Sequence, residues 1–150
     1  MKLKLSELAQ MAEIVGAAAV VVSLLYVGIE VRRNTAATQA ATYQEVVQAS
    51  NEFLLALAGD PELAEIVQKA ETDPGKLTDL EGRRYFAYQR VFWRNMDNAF
   101  VQHQRGVLAD PEWGVYSGIA CNVRTGAASW SWSFHSGDLS PDFVRLMDKC

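Results

Sequence analysis

The polar residues best spaced for chemistry lie in one stretch: Arg90, Arg94, Asp97, Asn98 and His103. On a helix, Arg90, Arg94 and Asn98 fall four apart on a shared face, and Arg94 meets Asp97 three residues on. Two guanidinium groups beside an amide and an imidazole suit a small anion or a carboxylate. The same pattern more often serves as a solvated helix face with one structural ion pair, because charges set among aromatics need partners. No catalytic signature accompanies these residues. There is no glycine-rich phosphate loop, no nucleophile elbow, no His-Glu-x-x-His and no Cys-x-x-Cys. No enzyme activity and no cofactor are expected.

His103, Cys121, His135 and Cys150 are ligand types for zinc, but their spacings of 18, 14 and 15 contain no local ligand pair, so no metal site is expected. Two cysteines are too few for a disulfide framework, and free thiols are the expectation for Cys121 and Cys150. Trp93, Trp113, Trp130 and Trp132 read as core, since aromatic stripes on helices serve packing more often than ligand stacking.

The elements that hold these residues divide sharply by composition. The chain has 150 residues, 49% hydrophobic and 21% charged, with a net charge of −4. From Asn34 to Cys150 there are 10 Lys or Arg against 15 Asp or Glu. That balance offers no clustered basic face, which argues against nucleic acid. It equally argues against attachment to anionic lipid by charge alone.

Ile14 to Ile29 is apolar or small throughout, bracketed by Glu13 and Glu30. As a helix, 16 residues rise about 24 Å, and Met11, Ala12 and Val31 extend this toward the roughly 30 Å of a bilayer core. A membrane-spanning N-terminal helix over residues 1–33 is therefore expected, followed by a soluble all-helical domain over residues 34–150. A cleaved signal peptide fits less well, because Glu7 and Glu13 intrude and no small-x-small site follows the apolar run. A soluble bundle with this stretch as its core helix is the further alternative. Lys2 and Lys4 on one side balance Arg32 and Arg33 on the other. Arg32 and Arg33 abut the span directly, which leans the C-terminal domain toward the cytoplasm.

Ala12, Gly16, Ala19, Ser23, Tyr26 and Glu30 follow at spacings of four, three, four, three and four. They form a stripe of mostly small residues, the pattern by which membrane helices approach closely. Val15, Val22, Leu25 and Ile29 form an opposite face suited to lipid. Glu30 is expected to pair with Arg33 or Asn34.

Downstream, nothing clearly breaks the helix before Gly59-Asp60-Pro61, so the first helix runs from about Ser6 to Ala58 or breaks near Asn34, where Asn-Thr offers a new cap. Val46, Val47, Phe53, Leu54 and Leu57 lie on one side of it. Asp60-Pro61-Glu62 starts a short helix ending near Thr72, with Leu63, Ile66 and Val67 inward. Thr78-Asp79-Leu80-Glu81 forms a capping box for a long helix to about Arg105, stopped by Gly106. Tyr85, Tyr88, Phe92, Met96 and Ala99 line its inner side, broadened by Phe86, Trp93 and Phe100. Asp110-Pro111-Glu112 starts another helix carrying Trp113, Tyr116, Ile119 and Ala120. Trp130, Trp132 and Phe134 have the period of a strand, but with no second strand to pair they predict a short helix or turn. Ser140-Pro141-Asp142 opens a last helix with Phe143, Leu146 and Met147. The fold class is all-α, an aromatic-rich bundle behind a transmembrane helix.

The segments Glu13-Ile14-Val15-Gly16-Ala17, Val20 to Gly28 and Val31-Arg32-Arg33-Asn34-Thr35 resemble a widespread group of small bacterial single-pass membrane proteins. The likeness extends loosely to Asp60-Pro61-Glu62-Leu63 and the aromatic long helix. It implies a bacterial inner-membrane protein with an all-helical domain. It implies no activity and transfers no functional residue.

These observations together lead to the expectation of a membrane-anchored interaction or assembly protein. It would form a homo-oligomer or serve as an accessory subunit of a larger membrane complex. The alternative is a membrane-tethered enzyme or small-ligand sensor built on Arg90, Arg94, Asp97, Asn98 and His103.

Overall fold

The computed structural model describes the backbone of residues 5–150 and the side chains of residues 8–150. Among them six α-helices follow one another: α1 Leu5–Gly59, α2 Pro61–Thr72, α3 Asp79–Gln104, α4 Asp110–Thr125, α5 Trp132–His135 and α6 Pro141–Met147. Short 3-10 turns occupy Pro74–Lys76, Ser129–Ser131 and Ser136–Asp138. No strand occurs among the described residues, so the period-two aromatics of residues 130–134 belong to a turn and a helix. Lys2 and Lys4 lie outside the described residues.

The chain divides into two units, Met1–Ala40 and Ala41–Cys150. α1 shows no break at Asn34. The Thr35 hydroxyl donates to the Val31 carbonyl at 2.9 Å, and the Thr38 hydroxyl to the Asn34 carbonyl at 2.9 Å. These polar side chains are satisfied by the preceding turn instead of capping a new helix. In the first unit every described side chain is exposed, including Ile14 at 68%, Leu24 at 67% and Leu25 at 65%. One helix long and apolar enough to cross a membrane thus stands near the N-terminus, with none of its apolar window buried within the fold.

The second unit has an aromatic core. Val46, Phe92, Trp93, Met96, Phe100, Trp113, Tyr116, Trp132 and Phe143 belong to its larger buried cluster. Ile66, Val67, Ala70 and Tyr85 form a smaller one. α3 supplies residues to both, because its buried positions recur at the three- and four-residue spacing of one helix face. Trp93, 1% exposed, meets Phe92 and Trp132 edge-on at centroid distances of 5.0 and 4.7 Å.

Two expected inward residues face out. Leu54 is 56% and Ile119 44% exposed. On α1 the inner row is Val46, Phe53 and Leu57, and on α4 it is Trp113, Tyr116 and Ala120. Leu54 and Ile119 fall off those rows by one residue, about 100° around the helix.

Local chemistry sets most helix starts. Asp60 Oδ1 accepts from the Leu63 amide at 3.0 Å, with Pro61 in the first turn. The Thr78 hydroxyl accepts from the Glu81 amide while Glu81 Oε2 accepts from the Thr78 amide, a complete capping box. Gly106 follows α3 with φ of +71°, a left-handed conformation that glycine adopts without strain. α4 starts one residue earlier than the Asp-Pro-Glu motif suggests. Ala109 is the cap, while Asp110 is already helical and makes no capping hydrogen bond.

The cysteines are not free. Cys121 on α4 and Cys150 beyond α6 form a disulfide with Cα atoms 5.5 Å apart. α6 packs back on α4 through the core that Ala120, Phe143 and Met147 share, and this brings together cysteines 29 residues apart in sequence.

Candidate functional site

Arg90, Arg94 and Asp97 converge on one segment of their own chain. Arg90 pairs with Asp138 at 2.8 Å. Arg94 donates to the Asp138 carbonyl at 2.9 Å. Asp97, buried at 8% exposure, accepts from the Ser140 amide at 3.1 Å and from the Ser140 hydroxyl at 2.5 Å. These three residues dock Asp138–Ser140 on α3, so their charges are used in holding the entry to α6. Asn98 stands apart, with Oδ1 3.5 Å from Gln102 Nε2. His103 is placed with the α3–α4 connection. Its Nδ1 lies 3.2 Å from the Leu108 carbonyl and 3.7 Å from Asp110, and its ring stacks on Trp113 at 5.6 Å. The five residues make no single concave site.

A cleft of about 580 Å³ lies beside the first half of α3, where Arg90 stands at its edge. Its walls are aromatic. Tyr85 stacks on Trp130 at 5.4 Å, Trp130 meets Phe134 edge-on at 6.3 Å, and Phe134 meets Phe86 edge-on at 6.1 Å. Trp130 is held by a hydrogen bond from its indole Nε1 to the Ala70 carbonyl at 3.2 Å. Arg83, Arg90 and Asp79 are the charged side chains of the lining. Arg83 is exposed and has no ion-pair or hydrogen-bond partner among the described residues.

Behind the Phe86 wall lies His135, 1% exposed, with its ring centroid 4.3 Å from that of Phe86. Neither of its ring nitrogens has a partner among the described residues. Burial, followed by the nearby Arg90 charge, lowers its pKa from the usual histidine value. One turn along α3, Gln89 donates from Nε2 to the Tyr85 hydroxyl at 3.0 Å, while its buried Oε1 lacks a partner among the described residues.

Sequence reasoning missed this cleft. Trp130, read as core with the other tryptophans, is 38% exposed, and Phe134 beside it is 60% exposed. The available signal was the period-two run itself, which on a short helical turn cannot direct all three rings inward.

The small-residue stripe Ala12, Gly16, Ala19, Ser23, Tyr26 and Glu30 is exposed along its whole length. The Ser23 hydroxyl donates to the Ala19 carbonyl at 2.8 Å. Glu30 has no ion-pair partner among the described residues, contrary to the expected pairing with Arg33 or Asn34. A methyl group added at Gly16 or at Gly28 would meet nothing within 4 Å.

Compared with known protein families, with curated proteins and with solved structures, the chain matches none.

Proposed function

We propose that this is a single-pass membrane protein that displays its helical domain on an oxidising face of the membrane and self-associates through its first helix. The observation that carries the reading is the exposure of the apolar stretch of α1, Ile14 to Ile29, none of which is buried. A core helix of a soluble bundle would be covered by its own fold, and this one is not. An apolar surface of that extent requires lipid or other helices around it.

The disulfide supports an oxidising side of the membrane. A Cys121–Cys150 bond persists in an oxidising compartment and is rare where thiols are kept reduced. It outweighs the mild lean that Arg32 and Arg33 place on the cytoplasmic side, given the even count of basic residues flanking the span.

Gly16 supports self-association. Glycine inside a helix costs about 1 kcal/mol relative to alanine, and no contact among the described residues requires it there. Close approach of a second helix gives it a use, and it lies mid-stripe with Ala12, Ala19 and Ser23.

Membrane extraction with alkaline carbonate should leave the protein in the pellet, and its release without detergent would end the spanning reading. A C-terminal alkaline phosphatase fusion should be active and a C-terminal GFP fusion dark; the reverse pattern places the domain in the cytoplasm. Gly16→Leu and Ser23→Leu should shift detergent-solubilised particles toward monomer, while Val22→Leu on the opposite face should not. Unchanged mass in all three refutes the stripe.

A further inference from the structure

We propose that the cleft beside α3 binds a flat apolar monoanion, an aromatic carboxylate or a molecule of that chemistry. At about 580 Å³ it falls in the size range of small-molecule sites, roughly 300–1,000 Å³. Its polar groups are few and its walls are rings, the composition by which such sites take apolar bodies and orient them with one or two charges.

The rings are arranged for contact with a flat guest. Tyr85, Trp130, Phe134 and Phe86 touch in sequence around the cleft, the first pair stacked and the next two edge-on. Trp130 and Phe134 keep much of their surface in solvent although the core of the same unit buries Trp93, Trp113 and Trp132. Trp130 is fixed in that position by its bond to the Ala70 carbonyl. An aromatic ring held in place with its apolar surface uncovered loses water on binding at little cost in side-chain freedom.

The charge follows from the lining. Arg90 is already committed to Asp138, whereas Arg83 has no partner among the described residues. The guanidinium of Arg83 offers a planar fork matched to a carboxylate. Asp79, also in the lining, disfavours a second negative charge on the guest. One cation unpaired among the described residues, beside one carboxylate, selects a monoanion over a dianion and over a neutral molecule.

The test uses the full chain in detergent, with 1-naphthylacetate, its neutral amide and 1-naphthylmethylamine as probes in saturation-transfer NMR and calorimetric titration. The carboxylate should bind at least about tenfold more tightly than the amide, the scale of one charge-assisted contact. Arg83→Gln should abolish that preference while leaving the amide's affinity unchanged. Ala87→Trp, at an exposed residue of the lining, should block all three probes. Both variants must keep the wild-type helical signal and melting transition, and Phe134→Ala, at an exposed position, supplies a second variant that should weaken carboxylate and amide alike. Equal affinity for carboxylate and amide overturns the proposal, as does an anion preference that survives Arg83→Gln. Tighter binding of the amine would make the cleft an aromatic cage for cations and overturn it too. Failure of every probe to bind, or binding unaffected by Ala87→Trp, likewise rejects the site.

Discussion

Reducing the Cys121–Cys150 disulfide should weaken the second unit by an amount that follows from chain entropy. The bond closes a loop across a sequence separation of 29. Cross-linking a loop of that size removes about 12 cal/mol/K from the unfolded ensemble, or about 3.6 kcal/mol at 25 °C. For the 110 residues from Ala41 to Cys150, with an unfolding entropy of about 2.1 cal/mol/K per residue, that corresponds to a fall in Tm of about 15 °C. α6 is the element tied down, since Cys150 follows it while Cys121 sits on α4. The assay is near-ultraviolet circular dichroism of the full chain in detergent, heated with and without reductant, alongside Cys121→Ser/Cys150→Ser. The reduced wild type and the double variant should melt together, well below the oxidised protein. Two observations refute the reasoning: oxidised and reduced transitions within about 3 °C, or maleimide labelling of two thiols in denatured, unreduced protein.

Asp97→Ala should cost about 2–4 kcal/mol, because it removes two hydrogen bonds from a buried carboxylate and leaves the Ser140 donors unpaired. A double-mutant cycle with Ser140→Ala in urea unfolding should show coupling of about 1 kcal/mol or more, and additive single effects would separate the pair. Glu81 predicts a defined acid response. Hydrogen bonds, first from Lys69 and then from Thr78, lower its pKa from 4.5 to about 2. A carboxyl whose folded pKa is depressed contributes stability that is complete above about pH 4.5 and fades as pH falls toward 2. Glu81→Gln should therefore flatten the dependence of the urea midpoint on pH within that window and leave its shape above pH 6 unchanged. A variant with the wild-type acid slope rejects the assignment.

Much of the architecture was legible because its signals are local. Asp60-Pro61, the Thr78/Glu81 capping box and Gly106 mark helix ends through atoms within four residues of each other. The α3 core face was legible through periodicity, although Gln89 and Asp97 are buried beside Phe92 and Trp93, where composition alone would not place them. Of the candidate site less could be read. Arg90, Arg94 and Asp97 form a convincing helical cluster in sequence, but their partners are Asp138 and Ser140, more than 40 residues away. The aromatic cleft joins α3 to a turn some 45 residues later, and no spacing rule links the two.

Composition and local pattern were enough to show that the chain is helical, where most helices begin and end, and that one of them is apolar enough for a membrane. Those properties depend on hydrogen bonds and hydrophobic periodicity within a turn or two of the chain. Tertiary packing alone settled that Cys121 meets Cys150, that Arg90 and Arg94 are taken up by Asp138, and that Trp130 and Phe134 border a cleft. Each depends on how distant segments pack, which rests on the shapes of whole faces and leaves no mark in local spacing. The first helix, Leu5–Gly59, belongs to both accounts. Its composition raised the membrane, and the structure leaves its apolar window unburied.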